Sequence, residues 1–197
     1  MMVMPSNNQS GVVHYFAGKY PGRIGLLMSP NGYRKPAYYM PYAFDNGCFT
    51  KWEPEKFFNM LGMVRLYHKP LWVCVPDAVA DAETTFRRWA NYNKKISDMG
   101  FRLAFVAQDG MESSDVPKSA ECVFVGGSTE WKLKNAHKFK GVAKLLHIGR
   151  VNTLSRLRWA EQIGADSVDG TGWFRGPERK AKFIEWFEGS KQIEMFN

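Results

Sequence analysis

Five short apolar runs in this chain stop abruptly at Asp, Gln or Gly. They are Phe44-Asp45-Asn46-Gly47, Val73-Cys74-Val75-Pro76-Asp77, Phe105-Val106-Ala107-Gln108-Asp109-Gly110, Val123-Phe124-Val125-Gly126-Gly127 and Ser167-Val168-Asp169-Gly170. A short β-branched or aromatic run bounded by turn formers reads as a strand buried on both faces, the mark of a parallel sheet. Amphipathic stretches separate most of the runs, and strand–helix alternation builds parallel sheets through right-handed crossovers. In such folds the turn after each strand carries the chemistry.

The pattern predicts strands at Ile24–Met28, Tyr42–Asp45, Leu71–Val75, Phe101–Ala107, Cys122–Val125, Leu145–Ile148 and Ser167–Val168. It predicts helices at Pro54–Tyr67, Asp81–Met99, Trp131–Phe139, Leu154–Ile163 and Pro177–Glu188, the first with proline in its opening turn. The segment between Ala107 and Cys122 is too short for a long helix. Seven strands fit an open doubly wound sheet or a parallel-stranded (β/α) TIM-type barrel. A full barrel takes about 250 residues, so a 197-residue one would be trimmed or incomplete. Carboxylates at the ends of several different strands favour the barrel. With no repeat, low-complexity tract or linker, residues 1–197 read as one domain.

The net charge of +8 concentrates in 87–95, 132–144, 150–158 and 175–182, beside an aromatic content of 15%. Basic surface with stackable rings suits a polyanion that carries bases, although solvated helix faces would look the same. No stretch approaches the roughly 18 apolar residues of a membrane span. The first ten residues lack the apolar core of a signal peptide, so a cytoplasmic protein is expected. Cys48, Cys74 and Cys122 lie far apart, which argues against a zinc site or a disulfide framework. Gly-x-Gly-x-x-Gly and P-loop patterns are absent, so no nucleotide cofactor is expected, and with no His-Glu-x-x-His or other metal-ligand spacing no metal is expected.

What remains is carboxylate chemistry. One carboxylate can attack a glycosidic carbon while a second acts as acid or base. A carboxamide such as Gln108, a carboxylate such as Asp77 and the backbone N–H groups of Gly126-Gly127 can read the edge of a planar heterocycle. Together they suggest cleavage or exchange at an N-glycosidic bond. Taken singly, Asp45 and Asp169 could cap helices, Asp77 and Gln108 could be turn residues, and Gly126-Gly127 could mark a tight turn. Trp89, Trp159 and Trp186 sit at core spacing, whereas Trp173 follows Asp169 in a Gly-rich loop where it could stack on a base.

The ordered motifs Phe44–Phe49, Val75-Pro76-Asp77, Gln108-Asp109-Gly110, Val125–Ser128 and Gly164–Gly170 resemble those of the tRNA-guanine transglycosylase superfamily, over about two thirds of the chain. These enzymes exchange guanine for a 7-deazaguanine base. The resemblance implies a pentosyltransferase in which Asp169 is the nucleophile and Asp45 handles protons. It further implies that Asp77 and Gln108 grip the base, that Gly126 and Gly127 donate to its carbonyl, and that His147 lies near it. Arg150 or Arg175 would contact phosphate. The chain departs from the pattern in Asp45-Asn46-Gly47-Cys48, in Gly170-Thr171-Gly172-Trp173 after the nucleophile, and in lacking a C-terminal zinc-binding cysteine cluster. That last departure shifts the expected partner from tRNA towards DNA, as in the branch that modifies phage or bacterial DNA. A tRNA substrate, a DNA glycosylase or nucleoside hydrolase on the same scaffold, and a non-catalytic nucleic-acid-binding module are the alternatives.

Overall fold

The computed structural model describes residues 1–194. Eight parallel strands alternate with helices: β1 (Met2–Pro5), α1 (Gly11–Lys19), β2 (Leu26–Met28), β3 (Tyr42–Phe44), α2 (Pro54–Val64), β4 (Val73–Cys74), α3 (Ala82–Asp98) and β5 (Leu103–Ala107) come first. Then follow β6 (Cys122–Val125), α4 (Thr129–Asn135), β7 (Leu145–Ile148), α5 (Leu154–Gln162), β8 (Ser167–Gly170) and α6 (Pro177–Glu194). The sheet order is β1-β8-β7-β6-β5-β4-β3-β2. Two parallel bridges, Val3 to Ile24 and Ser6 to Leu27, join its outer strands. The result is a nearly closed α/β TIM-type barrel, and the open doubly wound alternative is set aside.

The trimming falls on the helical ring. No helix follows β2, and a single 3₁₀ turn at Ser113–Asp115 follows β5. The element missed by periodicity is the first one. Neither β1 nor α1 had a predicted counterpart. Ser10 stands at the N-cap of α1 but makes no side-chain cap bond, and the helix opens on glycine, a poor helix former. The other helices are marked better: Asp81, Ser128 and Thr153 cap α3, α4 and α5 through their side chains.

Strand parity positions the site. Odd residues of β5 (Leu103, Phe105, Ala107) face the helices, and even ones (Ala104, Val106) face the barrel axis. The same alternation puts Met4, Leu27, Ala43, Cys74, Cys122 and Phe124 inside. Small residues at Ala43, Cys74, Ala104 and Cys122 leave room for the rings of Trp72 and Phe124, which meet edge to face at 5.9 Å. Continuing each inward row to the strand's C-terminal end or just past it reaches Ser6, Asp45, Gln108, Gly126 and Asp169. These residues form the polar top layer of the barrel core.

Candidate active site

The C-terminal rim holds a cavity of about 440 Å³, within the usual range for a small-ligand site. Asp45, Asp77 and Asp169 all line it, together with Gln108 and Gly126. Three carboxylates from three strands thus converge, although each was read from a separate motif. Neither Asp45 nor Asp169 caps a helix: Asp45 accepts the Gly47 N–H at 3.3 Å within its own turn, and Asp169 is held from three other segments.

Asp169 is 6% exposed. Its Oδ1 accepts from the backbone N–H of Arg150 at 3.0 Å and from His147 Nε2 at 3.2 Å. Its Oδ2 accepts from the Ser6 hydroxyl at 3.1 Å. A carboxylate oxygen has room for about two strong donors. Oδ1 is therefore occupied, while Oδ2 keeps a lone pair for the cavity. The neighbouring Asp166 is at the opposite end of β8, where it accepts the Leu146 N–H and faces Lys140.

Burial pushes the carboxyl of Asp45 up to about 7, with the negative charges of Asp77 and Asp169 adding to the effect. Asp77 is raised to about 6, again chiefly by burial, and hydrogen bonds from Asn46 together with the Arg88 charge hold it from rising further. Asn46 Nδ2 donates to Asp77 Oδ1 at 2.7 Å, and Gln108 Nε2 donates to Oδ2 at 2.6 Å. Two amides thus fix the carboxylate plane of Asp77. A group poised near neutrality is suited to proton transfer, and Asp45 is that group.

Several expected roles change. Gln108 lines the cavity, but its amide is spent on the protein: Nε2 on Asp77, Oε1 on the N–H groups of Ala80 and Gly127, each at 2.9 Å. It is a clamp for Asp77 more than a free reader of a base. The Gly126 N–H bonds to Ala107 O at 2.9 Å, so both donors of the Gly-Gly turn are already engaged. The turn needs glycine for space and backbone conformation instead. A Cβ on Gly126 would lie 3.0 Å from Gln108 Nε2, and Gly127 has φ +61° with Asp109 and Trp131 closer than 3 Å to any added Cβ.

His147 is fully buried below the cavity, against Phe124 at 4.5 Å and Trp72 at 5.0 Å. Burial pushes its imidazole down, against the pull of Asp169. The neutral ring donates from Nε2 to Asp169 and accepts the Ser167 hydroxyl at Nδ1, 2.8 Å away. It orients the carboxylate from behind and does not reach a base. Trp173 does not stack in the site. It is 3% exposed, parallel to Phe183 at 5.8 Å, because the loop after β8 folds inward over α6. Trp89 and Trp186 are buried as expected. Arg150 has its guanidinium on Gly127 O and over the Phe49 ring at 5.1 Å, whereas Arg175 is exposed in the turn before α6.

Ser6, Asn46 and Lys132 escaped the sequence reading. Ser6 had only a weak signal, a polar residue after the apolar run Met2–Pro5, without the Asp, Gln or Gly that ends the other runs. Asn46 stood beside Asp45 as a departure from the resembled motif. Lys132, inside a basic amphipathic stretch, had none.

No family model matches the chain, and no curated protein does. Among solved structures, one described as native KDPGal is 12% identical, with a TM-score of 0.55 over 97% of this chain and 95% of that one. The BexX/CysO complex of Amycolatopsis orientalis gives 10% identity and a TM-score of 0.58 over 95% of this chain and 91% of that one. At such identities the likeness is one of fold. No helix among the described residues is long and apolar enough to cross a membrane.

Proposed function

We propose that the chain is a DNA-guanine transglycosylase that exchanges guanine for a 7-deazaguanine base through a covalent glycosyl–aspartate intermediate. The observation that carries this reading is the convergence of Asp45, Asp77 and Asp169 in one cavity, with Oδ2 of Asp169 holding one hydrogen bond where Oδ1 holds two. Oδ2 attacks C1′ of an extruded deoxyguanosine, and the N-glycosidic bond breaks with its electrons leaving on the base. Asp45, protonated up to about pH 7, gives its proton to the departing guanine. The incoming base attacks C1′ through N9, returns the N9 proton to Asp45 and frees the Asp169 carboxylate. Asp77, fixed by Asn46 and Gln108, accepts from the N–H edge of either base. Extruding the base costs a few kcal/mol in a duplex and less in a single strand. The net charge of +8 suits either polyanion, DNA or tRNA.

The test is incorporation of a labelled 7-deazaguanine base into DNA and, in parallel, into tRNA, by the parent and by Asp169→Asn. Incorporation into DNA that vanishes in Asp169→Asn is expected. Abasic sites without incorporation would make the protein a glycosylase, and incorporation only into tRNA would overturn the substrate. Activity surviving in Asp169→Asn would remove the nucleophile.

A further inference from the structure

We infer that Lys132 is the counter-ion and positioning residue of Asp169, acting through the single peptide group that joins Gly149 to Arg150. This rests on the reading of Asp169 as nucleophile. Lys132 lies on α4, outside the strands, yet is only 3% exposed. Its ammonium donates to the carbonyl oxygen of Gly149. The N–H at the other end of that same peptide unit belongs to Arg150 and donates to Asp169 Oδ1 at 3.0 Å. A buried cation and a buried carboxylate thus grip one amide from opposite ends. Each polarises the amide in the sense that strengthens the other bond, and low local dielectric enhances the effect.

The peptide is held in an orientation the chain does not adopt freely. Arg150 has φ +57°, a left-handed conformation that costs a non-glycine residue energy. Gly149 has no room for a side chain, since a Cβ would fall 2.6 Å from Phe124 Cε1. The guanidinium of Arg150 donates to Gly127 O, closing the turn from the far side. Lys132 is the buried charge that rewards this conformation, and Asp169 is the group that benefits.

The charged groups that act on Lys132 are Arg150 from the β7–α5 turn, Asp169 from β8, Arg156 from α5 and Asp109 after β5. Burial is the largest influence, and it brings the ammonium down to about 8, with Asp169 pulling the other way. Lys132 is therefore charged through neutral pH and loses its proton in the mildly alkaline range. Base exchange falls with it, because the Gly149–Arg150 peptide then loses its cation.

Two measurements test this. The first follows the titration of Lys132 by carbon-13 NMR of its side chain, assigned by its disappearance in Lys132→Arg. In Asp169→Asn the ammonium is expected to deprotonate at lower pH than in the parent; an unchanged titration overturns the coupling. The second compares base exchange in Lys132→Met and Lys132→Arg, with thermal melts establishing that both fold. Lys132→Met should lower kcat on the order of 10- to 100-fold, short of the cost of removing a direct oxyanion donor, with KM unchanged. Lys132→Arg should recover most of the rate and keep only the alkaline fall that Asp45 sets near pH 7, without the further drop near pH 8. A folded Lys132→Met with parental kcat and pH profile overturns the role. If the parent exchanges no base, the functional reading fails, while the NMR titration still decides the Lys132–Asp169 coupling.

Discussion

Asp45 is destabilising when ionised, and Asp45→Asn measures by how much. The carboxyl has a folded-state pKa of about 7 against an ordinary 3.8. The folded state therefore binds a proton that the unfolded chain has already released between those two values. Stability contributed at this position is complete below pH 3.8 and is lost as pH rises towards 7, the reverse of a salt-bridged aspartate. At about 1.4 kcal/mol per pH unit, the cost reaches a ceiling of about 4 kcal/mol above pH 7. The amide of Asn has nearly the same shape, carries no charge and still accepts the Gly47 N–H. Asp45→Asn should match the parent near pH 4 and exceed it by up to about 4 kcal/mol at pH 8. For a chain of this size that is a rise in Tm of about 10 °C. Urea unfolding at pH 4.5 and 8, followed by tryptophan fluorescence, reads the difference directly. A stability gap that is equal at the two pH values, or an Asn variant less stable than the parent at pH 8, would refute the reasoning. Base exchange should be lost in the same variant, so the gain in stability and the loss of function would share one cause.

Asn46→Ala removes donors to Val75 O and Asp77 Oδ1 and should cost about 1–3 kcal/mol; the Asp77 carboxyl should also titrate above its present value near 6, followed by carboxyl NMR. Gly149→Ala forces its Cβ against Phe124 and should lower stability by about 1–3 kcal/mol; an unchanged urea midpoint would show that the turn yields easily. Trp173→Phe deletes a buried indole N–H that has no hydrogen-bond partner among the described residues while keeping a ring against Phe183. It should leave stability equal or slightly improved and base exchange intact, whereas a specific loss of exchange would restore a stacking role.

Where the strands run and where they end was legible because both depend on local chemistry. Apolar runs located β3 to β8 to within two residues at the ends, and the helices between them declared themselves by apolar stripes and, for α2, by proline in the opening turn. β1 and α1 were missed because Met2–Pro5 is poor in β-branched residues and α1, though preceded by Ser10, contains the helix-weakening Gly11 and Gly18. The period-2 alternation of a strand already dictates that Asp45, Gln108 and Asp169 continue inward rows. The hydrogen-bond economy of the site was not legible, since its partners are remote in the chain. Ser6 meets Asp169 across 163 positions, and Asn46 and Gln108 meet Asp77 across 31 each. Local periodicity carries no information about such pairs. Only closure of the barrel decided that Gln108 and the Gly-Gly turn spend their polar groups on the protein, that His147 backs Asp169 from below, and that Lys132 reaches the same carboxylate through one peptide bond. The sequence determined which residues stand at the strand ends, and the tertiary structure decided which of their atoms remain free, because a donor or acceptor is available to a ligand only if no distant part of the fold has already taken it.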